Sequence, residues 1–127
     1  MRLLAILLWA AACGQSDMTM AKMATPGTVG AECTGDQACT QTSATCVVAD
    51  TQGTWPGGYC TVKDCGNTTT CPDGSFCHQG HMGLGPACMY KCASDLDCRT
   101  SYKCCDAVAP AGTGIKVCTP APYLCNQ

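Results

Sequence analysis

The chain has 127 residues, a formal net charge of −2 and a pI near 5.4, a balance that excludes electrostatic attraction to nucleic acid or to an anionic membrane surface. Fifteen cysteines, one phenylalanine and an aromatic content of 6% exclude a conventional apolar core. A chain so poor in large side chains needs covalent staples, and this cysteine density marks a disulfide scaffold of an oxidising compartment.

Residues 1–12, MRLLAILLWAAA, read as a signal peptide: Arg2 supplies a positive start, Leu3 to Trp9 an apolar run, and Ala10 to Ala12 the small residues. The apolar run is shorter than the roughly 20 residues that a membrane span needs. Cys13 follows directly. Here the segment resembles the bacterial lipoprotein family, whose lipobox ends in a cysteine preceded by small residues. The resemblance implies cleavage before Cys13, a diacylglyceryl thioether on its sulfur and acylation of its new amine by a palmitate-type chain. The membrane is then a partner reached through lipid. Parity agrees, because fifteen is odd and lipidation of Cys13 leaves an even set for internal pairing. The alternative is simple cleavage and secretion, with Cys13 free or paired between chains. Gly14 stands where an inner-membrane retention signal would place aspartate, which implies an outer-membrane or cell-surface destination. Residues 13–29 form the expected lipid-anchored flexible tether, small and polar with Pro26-Gly27 near its end. Met18, Met20 and Met23 suggest soft copper ligands, but methionine in a linker accounts for them.

Residues 30–127 form a disulfide-rich region of three units, about 30–64, 65–91 and 92–127. Their cysteines are Cys33, Cys39, Cys46 and Cys60; Cys65, Cys71, Cys77 and Cys88; Cys92, Cys98, Cys104 and Cys118. Each unit opens C-x5-C, continues with five or six residues to its third cysteine, then takes a gap of thirteen, ten or thirteen to its fourth. Self-similarity near thirty residues marks a unit copied in tandem. The fold class expected is a small disulfide-rich one with sparse short β-strands and turns and little regular secondary structure. Within each unit the expected pairing joins first to third and second to fourth: Cys33–Cys46, Cys39–Cys60, Cys65–Cys77, Cys71–Cys88, Cys92–Cys104 and Cys98–Cys118. Four cysteines allow other connectivities, which stay open. Cys105 and Cys125 remain, and are expected to pair and hold the C-terminus.

In the first unit Val47 and Val48 open a strand toward the turn signal Pro56-Gly57-Gly58, the outline of a hairpin. Trp55 and Tyr59 flank that turn. Covering disulfide sulfur in a small core is their favoured role; an exposed aromatic contact for a glycan or protein is the other, and both are carried as candidate contact residues. In the second unit Pro72-Asp73-Gly74 is a tight-turn sequence, and Asn67-Thr68-Thr69 is a polar loop that matters as a glycosylation sequon only in a eukaryote. His78 and His81 lie between Cys77 and Cys88, a set that suggests zinc. Those cysteines already have partners and the compartment oxidises thiols, so no metal is expected. The glycine-rich loop is instead expected to present His78 and His81 as contact residues. No catalytic constellation is legible, so the expectation is a non-enzymatic protein without cofactor.

The third unit contains CASDLDCRTSYKCC, which resembles the whey acidic protein, or four-disulfide core, family: C-x5-C-x5-C-C with an aspartate in the first gap, here Asp95, and a lysine before the double cysteine, here Lys103. Cys71-Pro72 and Cys77 would stand for its opening cysteines. The resemblance implies inhibition of serine proteases through a rigid loop near the start of the module. Asp95 and Asp97, read as residues, give a solvated acidic turn or helix start rather than a calcium loop. The whole pattern is more similar to the cysteine-rich lipoproteins of myxobacteria, which implies location better than role. Three functions compete: a binding or adhesion module for an unknown extracellular protein or glycan, which is expected first, then a serine protease inhibitor, then a structural component of the cell envelope.

Overall fold

The computed structural model describes residues 23–66, 70–79, 84–108, 114–121 and 125. The signal peptide, Cys13, the tether as far as residue 22, the Asn67-Thr68-Thr69 loop and His81 lie outside the described residues. Among those described, the chain forms three short antiparallel hairpins and two single 3-10 turns, with no helix long and apolar enough to cross a membrane.

The hairpins are β1 (Thr45–Val47) with β2 (Tyr59–Thr61), β3 (Ser75–His78) with β4 (Ala87–Cys92), and β5 (Tyr102–Asp106) with β6 (Lys116–Pro120). Each places its third cysteine directly opposite its fourth: Cys46 faces Cys60, Cys77 faces Cys88, and Cys104 faces Cys118. The facing cysteines do not bond to each other. Each reaches back to the preceding C-x5-C loop, giving Cys33–Cys46 and Cys39–Cys60, Cys65–Cys77 and Cys71–Cys88, Cys92–Cys104 and Cys98–Cys118. The loop is thereby clamped across the base of its own hairpin by two neighbouring bonds. Cys105–Cys125 is the seventh bond. In two loops the same residue type does the same work. Asp36 accepts the N–H of Cys46 at 2.8 Å and Asp95 that of Cys104 at 2.9 Å, each from a 3-10 turn between the first and second cysteine, Asp36–Ala38 and Asp95–Asp97.

Local turn chemistry sets the hairpin ends. Gly58 N donates to Trp55 O at 2.9 Å across Pro56-Gly57, with φ +71° at Gly57. Proline at the first central position and glycine at the second are what a type II turn requires. Ser75 N donates to Pro72 O at 3.1 Å across Asp73-Gly74, the turn that leads into β3.

β4 joins the units. One edge pairs with β3. The other meets the continuation of β2, where Cys88 N donates to Val62 O at 2.9 Å and Asp64 N to Pro86 O at 2.8 Å, and further along it meets β6. The resulting four-stranded sheet has the order β3-β4-β6-β5. Beyond the outer strands the chain meets again, as Gln79 N donates to Val108 O at 2.7 Å. One apolar cluster therefore draws on every unit: Val29, Trp55, Tyr59, Val62, Cys65, Cys88, Met89, Tyr102, Val117 and Cys118. A second, in the first unit, has Ala31, Cys33, Cys39 and Cys60 as its buried residues, with Ala38, Ala44 and Cys46 packed against them.

The folded part begins before Gly30, so residues 27–29, expected to belong to the tether, are part of it. Thr40 N and Gln41 N donate to Gly27 O, Val29 N donates to the Gln41 side chain at 2.9 Å, and Val29 is 2% exposed within the main core.

Candidate functional site

The aromatic pair is interior, in keeping with the packing role favoured for it and not with the surface contact that is its alternative. The Pro56-Gly57 turn folds Trp55 back over its own hairpin, leaving Trp55 5% and Tyr59 1% exposed. Tyr59 lies between two rings, 5.6 Å from Trp55 and 5.4 Å from Tyr102, centroid to centroid, and its hydroxyl accepts the N–H of Tyr90 at 2.9 Å. Arg99 closes the stack from outside, its guanidinium 4.3 Å from the Tyr102 centroid. The same guanidinium donates to Gly30 O at 3.0 Å, to Pro56 O at 3.2 Å and to Gly58 O. A planar cation with a fork of donors can stack and bind three carbonyls at once, which an ammonium cannot. Trp55 and Tyr59 are thus the joint between the first and third units, and neither offers a face to a glycan.

Burial raises the Tyr59 phenol above its ordinary range, and pushes that of Tyr102 up to about 12 against the opposing pull of Arg99. The folded state therefore holds these protons more tightly than the unfolded chain, whose phenols ionise near pH ~10. Above that pH the unfolded state binds fewer protons, so stability falls as pH rises from about 10 through 12. At about pH 11, fewer of the four tyrosines should contribute tyrosinate absorbance in the native protein than in denaturant. Equal absorbance in the two would show that the stack does not shield its phenols.

His78 is also interior, on β3 and 4% exposed, where its Nδ1 accepts the N–H of Val108 at 3.1 Å. It lines a cavity of about 10 Å3 with Trp55, Leu84, Ala87, Met89 and Thr119. The expectation of a contact residue in a glycine-rich loop fails because β3 extends through His78, whose side chain turns inward. In each unit three cysteine sulfurs gather within 4.8 Å of one another. They are the neighbouring disulfides of the clamped loop, and a metal would need thiolates. Cys71 and Cys77, the opening cysteines in the four-disulfide core comparison, are both bonded within the second unit.

Among the large apolar side chains of the described residues, Leu96 is the most exposed, at 76%. It sits in the middle of the 3-10 turn Asp95–Asp97. Ser94 and Asp97 form a capping box, in which the Ser94 hydroxyl accepts from Leu96 N at 3.3 Å and the Asp97 carboxylate accepts from Ser94 N at 3.2 Å and Ala93 N at 2.7 Å. On its other oxygen from the Cys104 bond, Asp95 pairs with Lys103 at 3.0 Å; the Cys104 amide first, and then Lys103, hold its carboxyl below the ordinary range. Cys92–Cys104 and Cys98–Cys118 fasten the two ends of the turn. Beside it runs an open groove of about 450 Å3 lined by Gly74, Tyr90, Lys91, Cys92, Ala93 and Asp97. The acidic turn is legible in the sequence; the projection of Leu96 is not, although a leucine between two aspartates inside a C-x5-C loop, in a chain short of leucine, is the signal that points to it. Comparison with protein-family models, with characterised proteins and with solved structures finds no match for this chain.

Proposed function

We propose that the protein is an exported lipoprotein, held through Cys13 at an outer membrane or cell surface, whose disulfide-braced region is a non-enzymatic module that binds an extracellular protein. The coarser part rests on firm ground: a fold with this many disulfides belongs to an oxidising environment. The observation that carries the rest is the fixed projection of Leu96. A large apolar side chain held 76% exposed on a capped, doubly cross-linked turn loses little conformational freedom when it enters a pocket. An aliphatic knob suits a protein pocket better than a glycan, which selects for aromatic faces and hydrogen-bonding groups. Protease inhibition is the competing reading. That reading places the contact on a loop near the start of the module and not on the Asp95–Asp97 turn.

A photo-crosslinking residue at position 96, in protein displayed on living cells, should give a discrete adduct that the same residue at Val48, itself 54% exposed, does not. With the partner in hand, Leu96→Asp should cost about 2 kcal/mol, roughly thirtyfold in Kd. No adduct at 96, or the same adducts from both positions, removes the reading, and stoichiometric inhibition of a trypsin-like or elastase-like protease replaces it with the inhibitor. Anchoring is tested separately: metabolic palmitate should label the wild type and not Cys13→Ser, and a labelled serine variant would move the lipid elsewhere.

A further inference from the structure

The seven disulfides differ in how an external thiol can approach them. Thirteen of the fourteen bonded cysteines are buried or half-buried, and only Cys125 is exposed. Its partner Cys105 is the opposite case, 4% exposed on β5. There the Thr119 hydroxyl, on the neighbouring strand β6, donates a hydrogen bond to Cys105 Sγ at 3.2 Å. Thiol–disulfide exchange is governed by access to the attacked sulfur and by the stability of the thiolate that leaves. This bond presents an exposed cysteine for attack and a hydrogen-bonded sulfur for departure. A second sulfur receives side-chain help, as Gln79 donates to Cys77 Sγ at 3.6 Å. Its partner Cys65 is 3% exposed, so no nucleophile reaches the sulfur that would have to be attacked.

We propose that Cys105–Cys125 is a thiol–disulfide exchange site, attacked at Cys125 by the thiolate of a small-molecule thiol. The incoming sulfur forms a bond to Cys125 Sγ as the Cys105–Cys125 bond breaks. The electron pair of that bond leaves on Cys105 as a thiolate, which accepts the Thr119 hydrogen bond and then a proton from solvent. One disulfide is exchanged for another, with no net oxidation or reduction. The product carries the thiol covalently at its C-terminal cysteine while the six bonds of the three units remain closed. The exchange opens none of those six, so it modifies the protein without dismantling its hairpins.

The test uses the full oxidised chain with reduced glutathione at mildly alkaline pH and no denaturant, quenched at intervals with acid, alkylated with a maleimide and mapped by mass spectrometry after acid proteolysis. The first product should carry glutathione on Cys125 and maleimide on Cys105, and should form at least about tenfold faster than any other opening. Glutathione first on another cysteine, glutathione on Cys105, or several bonds opening together would overturn the proposal. The mapping is made on the wild-type protein and depends on no variant. Thr119→Val should then slow formation of the Cys125 adduct about threefold, with Thr119→Ser restoring it; equal rates in the two variants would remove the leaving-group argument.

Discussion

Complete reduction of the disulfides is expected to leave the chain with no cooperative thermal transition and no near-ultraviolet dichroism from its buried rings. Seven of the sixteen buried apolar residues among those described are cysteines, and none is Leu, Ile or Phe, so opening the bonds removes the largest class of core residue as cross-links. In the first unit the effect is pronounced, because three of the four buried residues of its own cluster are half-cystines. Closing a loop of this size contributes about 3 kcal/mol in the chain-entropy model, and small domains have little apolar burial to set against the loss of several such terms. Circular dichroism and limited proteolysis before and after a strong reductant measure the result. A reduced chain that kept its native spectrum and its resistance to cleavage would mean that apolar packing holds the fold after all.

Gly58→Ala should destabilise the oxidised protein by about 3 kcal/mol or more. Two separate causes add. Gly58 has φ +71°, a conformation that costs a residue with a side chain about 1 kcal/mol or more. A β-carbon there would also overlap the carbonyl oxygen of Cys33 and come within 3.0 Å of its carbon and 3.2 Å of its sulfur. Those are backbone and disulfide atoms that cannot swing aside, and Cys33 N is itself held by Gly57 O at 3.1 Å. Gly53 provides the control. Its φ is also +71°, but nothing lies within 4 Å of the β-carbon position, so Gly53→Ala should cost only the conformational part, about 1 kcal/mol. Urea denaturation of the two variants separates the contributions, and equal losses would show that the close approach to Cys33 carries no weight.

How much of this was readable beforehand divides along sequence distance. Spacing in the C-x5-C loops and the turn signals Pro56-Gly57-Gly58 and Pro72-Asp73-Gly74 are local, and they correspond to the hairpins and to bonds that join first to third and second to fourth cysteine. The acidic 3-10 turn at Asp95–Asp97 is local as well. The joint between units is not. Tyr59, Arg99 and Tyr102 meet across some forty residues, and no periodicity relates them. His78 reads as an available group because glycine-rich loops usually lie at the surface, and a surface contact is the second reading of Trp55 and Tyr59; a small chain short of apolar side chains turns all three inward. Leu96 is the converse, an apolar residue kept out because the capping box and two disulfides orient its turn before burial can claim it.

The nested pairing also bears on how the chain reaches its oxidised form. A polypeptide that emerges N-terminus first into an oxidising space exposes each set of four cysteines in full before the next arrives. Partner choice is then confined to near neighbours, and an error in one set need not spread to another. Cys105 alone departs from that schedule. It emerges beside Cys104, inside the third set, while its partner Cys125 follows the last cysteine of that set, so this closure is the one most exposed to a wrong partner and the step at which an isomerase would matter most.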